Sequence, residues 1–275
     1  MRIGAKIASA PWHPKCHIRN TTEVSLRNIV FNKNKADIRF AEDPAEALRL
    51  YNERGYHIEP EVFSAAECQR LIAAGKDLAA KGDGTFRPLM SPHRVDALFL
   101  RTMADKRLTT IIQQLCGGAV HGLQSELFFG WPGTPGFAAH QDNFFVEAPE
   151  GAFVSAWTAL VDVSPANGGL VMYPGSHRYG VLPVEKLSGP VSPNQDPNAG
   201  AQRSILPEGH AAGVDLYISQ GSVIFLHSLV VHSSHDNGSD KWRHALLNTY
   251  IRQGAPFRSG NYARRSPIDL STVTA

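Results

Sequence analysis

A mainly β protein preceded by helices is what this sequence predicts, and three observations carry the prediction. From about Val120 onward, short apolar or alternating runs are separated by Gly, Pro and Asn turns. That is the spacing of an antiparallel sandwich or jelly roll, not of alternating βαβ units. Before Val120 the apolar residues recur at helical spacing with capping signals around them. The chain has 275 residues, 43% of them hydrophobic, so it can bury a core without needing disulfides or a metal merely to fold. A single all-β-rich domain of this length is common.

The elements follow in order. The first 22 residues carry Arg2, Lys6, Lys15 and Arg19 with no acid, but Pro11 and Pro14 interrupt them and no apolar stretch follows. An irregular arm over residues 1–40 is expected, not a secretory signal. Ala45 to Arg54 is a run of helix formers, and Gly55 to Pro60 reads as a short strand closed by proline. Ser64-Ala-Ala-Glu67 is a capping box. The helix it opens carries Cys68, Leu71, Ile72 and Leu78 on one face and fades near Gly82-Asp83-Gly84. A further helix over Lys106–Cys116 ends at Gly117-Gly118. Residues 41–119 thus form a helical flank.

Strands are expected over His121–Phe129, Ala152–Val161, Gly169–Tyr173, Gly213–Ile218, Ser222–Val231 and Ala245–Ile251, within a β core spanning 120–252. Residues 181–210 hold five prolines and no sustained period, which suggests a functional lid loop. A basic segment, 253–275, closes what reads as one domain.

Composition excludes several classes of function. With 27 basic and 25 acidic residues the net charge is +2, too balanced for a nucleic-acid-coating protein. No apolar run approaches the ~18 residues of a spanning helix, and the mean hydropathy is −0.21. Cys16, Cys68 and Cys116 are far apart and outside any CxxC pattern, which points to a reducing, cytoplasmic compartment.

The sharpest local feature is His140-Gln141-Asp142. On a strand, residues i and i+2 point to one face, so the imidazole and carboxylate would converge. One more histidine would complete the two-His-one-carboxylate triad of non-haem Fe(II) oxygenases. Alone the pair is weak, because a chain with 12 His produces such pairs by chance. His227, His232 and His235 are candidates for the third ligand. His227 and His232 are five apart, so on a continuous strand only one of them can reach the metal. Arg243, at the start of the next run, could grip a carboxylate with two parallel hydrogen bonds.

These pieces occur together with Ala156-Trp157-Thr-Ala-Leu160, Asn167-Gly-Gly-Leu170, Pro174-Gly-Ser-His177, Val231-His232-Ser-Ser234 and Asn237. In order and spacing, His140 to Tyr250 resembles the phytanoyl-CoA dioxygenase family of Fe(II)- and 2-oxoglutarate-dependent oxygenases. The resemblance implies a cupin-like double-stranded β-helix, or jelly roll, that uses Fe(II), 2-oxoglutarate and O2. It implies His140, Asp142 and His232 as iron ligands. It also implies Arg243 on the distal carboxylate of 2-oxoglutarate, with Ser234, Trp157 and Gln124 beside that cosubstrate. The implied reaction is hydroxylation of an unactivated C–H bond, since related halogenases replace the carboxylate now at Asp142 with Gly or Ala. The sequence departs from the family in having His232-Ser-Ser for the usual His-Gly-Ser, and Ser222 for an aspartate after Gly221.

For the substrate, a small polar and anionic molecule is expected. The segment from Arg252 to Arg265 concentrates positive charge, and Arg94 adds another basic group. Asn143, Phe144, Arg94, Arg258 and Arg264 are the candidate substrate contacts. Gln141-Asp-Asn143-Phe144 and Asn261-Tyr-Ala-Arg-Arg265 are similar to family members acting on small aminoalkylphosphonates, such as 2-aminoethylphosphonate. Amino acids, their derivatives and acyl-CoA are alternatives within the family. A non-redox cupin-like enzyme using Zn²⁺ or Mn²⁺, or a non-catalytic β-sandwich binding module, are alternatives outside it. Neither a nucleic-acid nor a membrane partner is expected.

Overall fold

The computed structural model describes residues 38–81, 88–187, 202–261 and 263–274. Nearly all of the expected N-terminal arm lies outside the described residues. So do Cys16, the Gly82–Gly84 helix end, residues 188–201 of the expected lid, and Tyr262.

The helical flank begins with α1 (Pro44–Arg54). The Asp43 side chain caps it by accepting from Glu46 N–H, and Gly55 ends it at φ 85°. Strand β1 (Tyr56–Glu59) follows. Helix α2 (Ala65–Lys81) opens with the expected capping box: Ser64 Oγ accepts from Glu67 N–H while Glu67 Oε2 accepts from Ser64 N–H. A short strand β2 (Leu89–Met90) leads to α3 (Ala97–Met103) and α4 (Lys106–Cys116), capped by Asp96 and Asp105. Helix α3 was not among the expected elements; its seven residues are too few to establish a period.

The β core comprises β3 (Val120–Gly130), β4 (Phe153–Ala159), β5 (Leu170–Met172), β6 (Val184–Lys186), β7 (Gln202–Ser204), β8 (Val214–Asp215), β9 (Val223–His227), β10 (His232–Ser234) and β11 (Arg243–Arg252). A four-residue helix, α5 (Asn143–Val146), interrupts it between β3 and β4. Six strands form the main sheet in the order β1-β9-β4-β11-β3-β2, and three form a second sheet, β10-β5-β8. The architecture is a jelly roll.

Alternation along the strands divides the core in two. Leu246 and Tyr250 of β11 face the helices, packing with Phe99, Met103, Leu108 and Ile112. Ala245 faces the second sheet with Trp157, Leu170 and Met172. Tyr250 OH is buried among the helices and donates to the Met103 carbonyl at 2.9 Å. Gly221, at φ 84°, lies so close to Phe63 that a Cβ there would run into its carbonyl oxygen; only glycine fits the turn into β9.

Two expectations need correction. The stretch 222–231 is not one strand: β9 ends at His227, and the chain turns through residues 228–231 before β10 begins in the other sheet. The proline-rich stretch 181–210 is not structureless at its ends, because β6 and β7 pair antiparallel there with Val184 opposite Ser204. Cys68 and Cys116 are buried and unpaired. Burial pushes their thiols up to about 11 and about 12, so neither is a reactive thiolate. Among the described residues no helix is long and apolar enough to cross a membrane.

Candidate metal centre

His140, in the stretch between β3 and α5, and His232, the first residue of β10, meet as an isolated antiparallel bridge. Each donates its N–H to the other's carbonyl, at 2.9 and 3.0 Å. Residues paired in this way put their side chains on the same side, and the two rings stand 4.3 Å apart, centroid to centroid.

Asp142 reaches the same place by a route other than the expected strand alternation. Its backbone is helical (φ −59°, ψ −35°), and the chain turns there into α5. Its Oδ1 lies 3.6 Å from His140 Nε2 and 3.7 Å from His232 Nε2. These separations are too long for hydrogen bonds. They suit three ligand atoms around a common point, and all three lie within 4.8 Å of one another.

The surrounding hydrogen bonds orient each group. His140 Nδ1 lies 2.8 Å from the Ala138 carbonyl, and His232 Nδ1 lies 3.3 Å from that of Val230. A carbonyl only accepts, so Nδ1 carries a proton in each ring and Nε2 is the nitrogen that faces the cavity. Ser155 Oγ donates to Asp142 Oδ2 at 2.6 Å, leaving Oδ1 for the site. Ser155 was not foreseen, although it lies two residues before Trp157 on β4 and so shares its face. The intervening Gln141 points the other way. Its amide donates to the Gly180 and Leu229 carbonyls and accepts from Leu182 N–H, which pins the turn.

The charges follow from this arrangement. Burial, then the neighbouring His140, pulls His232 down to about 4, so it is a neutral lone-pair donor at pH 7. Burial opposes the charged form of Asp142, yet His232, His140 and the Ser155 hydroxyl hold its carboxyl well below the usual range. Burial likewise opposes protonation of His140, but Asp142 outweighs it and the net shift is upward. A carboxylate and two imidazoles at one open point form a donor set that fits a divalent transition metal.

The triad opens onto a cavity of about 570 Å³, walled by aromatic side chains including Phe137, Phe144, Phe145 and Trp157. Arg243, the first residue of β11, lines the same cavity and is 4% exposed. Its guanidinium has no hydrogen-bond or ion-pair partner among the described residues, and it lies 5.9 Å from the Trp157 ring centroid. Burial pulls its pKa down to about 10, so it remains a cation at neutral pH. Opposite it stands Gly130, where a Cβ would come within 3.3 Å of the guanidinium. Gln124 and Trp157 also face the cavity. Ser234 Oγ accepts from Phe137 N–H at 2.8 Å, which leaves the hydroxyl proton to donate.

The expected substrate contacts divide. Phe144 lines the cavity. Asn143 does not: it is buried, and both amide atoms are bound to the backbone of Ala148 at 2.9 Å. Arg94 lies outside the cavity and donates to the Arg264 carbonyl and Ser266 Oγ. Arg264 does not line the cavity either, because the chain turns there at φ 47° and presents Arg265 instead. Arg258 lines the cavity, but its guanidinium donates to the carbonyls of Phe144 and Phe145 and pairs with Glu147 at 2.9 Å. His227 is outside the triad; its Nδ1 accepts from Leu229 N–H at 3.1 Å. His235 is bound to Asp215 at 2.8 Å.

The family described as Phytanoyl-CoA dioxygenase (PhyH) matches residues 51–245, most of the chain. The chain belongs to this family. Iron and 2-oxoglutarate are the family's cofactors, and the His140–Asp142–His232 group offers a site for the iron. The ectoine dioxygenase of Stutzerimonas stutzeri is 27% identical over 241 residues, covering 78% of this chain and 79% of that protein. The phytanoyl-CoA dioxygenase of Arabidopsis thaliana is 27% identical over 64% of this chain and 60% of its own length. The bovine peroxisomal phytanoyl-CoA dioxygenase is 32% identical over 39% of this chain and 31% of its own length. Among solved structures, the non-heme alpha ketoglutarate dependent epimerase SnoN superposes with a TM-score of 0.65 at 24% identity, covering 78% of this chain and 87% of that one. The carbocyclase SnoK gives 0.64 at 23%, covering 86% and 96%. Both share the jelly-roll fold.

Proposed function

We propose that this phytanoyl-CoA dioxygenase family member is an Fe(II)- and 2-oxoglutarate-dependent hydroxylase. In this reading His140, Asp142 and His232 hold the iron and Arg243 takes the distal carboxylate of 2-oxoglutarate. The observation that carries it is Arg243, a buried guanidinium with no hydrogen-bond or ion-pair partner among the described residues, facing the same cavity as the triad. A buried charge without a partner is costly, and an anionic ligand removes that cost.

When bound, the iron supplies activation of O2, with oxidative decarboxylation of 2-oxoglutarate to succinate and CO2 and insertion of oxygen into a C–H bond. The chain's own residues supply the geometry. Ala138 and Val230 fix the imidazole tautomers, and Ser155 holds Asp142 to one oxygen. Gln124 and Ser234 are polar groups within reach of the cosubstrate, while Trp157 flanks Arg243 and helps exclude water from it. Asp142 occupies the position that favours hydroxylation over halogenation.

The substrate reading is a small polar molecule carrying an anionic group, with an aminoalkylphosphonate such as 2-aminoethylphosphonate as the first choice. Arg265 and Asn261 at the cavity wall support it. A second reading, an amino acid or amino-acid derivative, is favoured by the extent of the alignment with the ectoine dioxygenase. The two buried thiols, Cys68 and Cys116, support a reducing, cytoplasmic setting.

Anaerobic addition of Fe(II) and 2-oxoglutarate should produce a weak visible charge-transfer band, and its absence would sink the oxygenase reading. Oxygen uptake and succinate release across 2-aminoethylphosphonate, its N-methylated forms, amino acids, ectoine and acyl-CoA would identify the substrate class. No response to phosphonates would remove the first choice. A non-redox metal enzyme would keep its activity in Arg243→Ala.

A further inference from the structure

Helix α5 carries Asp142 at its start and has only four residues. A helix this short has no stability of its own, and its last carbonyls have no partners within the helix. The C-terminal segment supplies them. Arg258 N–H donates to the Val146 carbonyl at 2.6 Å. The Arg258 guanidinium donates to the carbonyls of Phe145 and Phe144 at 3.2 and 3.1 Å, and Arg265 adds a bond to Phe145 at 3.1 Å.

The segment that does this is itself tied down. After β11 ends at Arg252 it crosses α5. It then returns to the edge of β3, where Ile268 and Gly122 exchange backbone bonds at 2.8 and 3.0 Å. Midway, Arg94 donates to the Arg264 carbonyl and to Ser266 Oγ. The far end of α5 is therefore strapped to the rigid main sheet. Its near end bears Asp142, whose carbonyl accepts from Phe145 N–H at 3.1 Å, so the strap fixes where the carboxylate stands.

We propose that Arg258 and Arg265 are positioning residues for the metal-binding carboxylate, holding α5 from behind and so setting Asp142 against His140 and His232. This rests on the reading of those three residues as metal ligands. It gives Arg258 and Arg265 a role beside any contact with substrate: both direct donors at the α5 backbone, and Arg258 also pairs with Glu147 just past its end.

The test is anaerobic titration of the full-length protein with Co(II), followed by calorimetry and by the visible spectrum of the bound ion. The melting temperature is measured without metal alongside. In the wild type, one Co(II) should bind with a spectrum of a nitrogen–oxygen site. Arg258→Gln and Arg265→Gln should each weaken binding, and the double variant by about tenfold to a hundredfold, the usual cost of losing groups that orient a ligand. Arg258→Lys, which keeps the charge but not the two-pronged contact, should fall between. A merely structural strap would lower the metal-free melting temperature and leave Co(II) affinity and spectrum unchanged; that result overturns the proposal. If the double variant fails to fold, the single variants decide, and affinities within twofold of wild type overturn it. A wild type that binds no Co(II) would instead overturn the metal-site reading, and this proposal with it.

Discussion

Arg107 on the helical flank and Arg243 on the cavity wall are the same residue type under opposite conditions. Arg107 is 44% exposed at its side chain, yet it donates to Asp105, Glu67 and the Val62 carbonyl and lies over the Phe63 ring. Arg243 is buried and has no hydrogen-bond or ion-pair partner among the described residues. On the flank, charge closes the structure on itself. On the cavity side, charge is held open at a cost to stability, and the fold tolerates that cost where a ligand anion can enter. The same contrast separates the flank carboxylate Glu67, which is bound to Ser64 and Arg107, from Asp142, which offers one oxygen to an open point.

The largest expected effect tests the open side at its centre. Asp142→Ala should abolish metal binding and succinate release while leaving the fold intact, as read by titration and circular dichroism. Next, Arg243→Gln should raise the KM for 2-oxoglutarate about a hundredfold, equivalent to ~2.7 kcal/mol, the low end for losing one side of a buried charge pair. The metal-free melting temperature should stay level or rise, because an unpaired buried charge has been removed. A fall in melting temperature would show that Arg243 serves the fold, and the contrast with Arg107 would break.

Arg107→Gln should do the reverse, leaving the KM for 2-oxoglutarate unchanged and costing roughly 1 kcal/mol of stability, since the pairs are partly exposed and screened. The Arg107 hydrogen bond holds Glu67 down to about 2 against burial, from an ordinary 4.5. A carboxyl depressed in the folded state adds stability that is present above pH 4.5 and lost as pH falls toward 2. Melting temperature plotted against pH should therefore flatten on the acid side in Arg107→Gln. The smallest effect concerns His244, which is buried between Trp242 and Phe129 with neither ring nitrogen hydrogen-bonded among the described residues. Burial pulls it down to about 4, so the unfolded chain takes up a proton near 6.5 that the folded chain refuses. Stability falls as pH drops through that window, and His244→Phe should recover roughly 1 kcal/mol near pH 5.

Much of this was legible in the sequence where the cause is local. The Ser64–Glu67 box, the glycine end of α4, and the alternation of the later strands each depend on a few neighbouring residues; Gly55, read as the start of a strand, instead ends α1. Arg243 was also readable, as the first residue of a strand. What escaped depends on contacts distant in sequence. The helical backbone at Asp142 follows from long-range contacts, with Gln141 gripping residues near 180 and 229 on one side and the C-terminal segment bound to α5 on the other, not from strand alternation. His227 and His232 face different environments because the chain changes sheets between them, which no spacing rule reveals. Arg264, the expected contact, is turned off the cavity wall at a positive φ, and Arg265 lines it instead. Ser155 looks like any small strand residue until Asp142 is placed beside it.

The backbone bridge between His140 and His232 bears on how the protein reaches its working state. Two of the three proposed ligands are far apart in sequence and become neighbours only when β10 meets the stretch between β3 and α5, a loop closure that carries an entropic cost. No fragment ending before β10 can assemble the site. Metal uptake should therefore be a late event in folding, and its appearance in a refolding time course would report that the two sheets have docked in register.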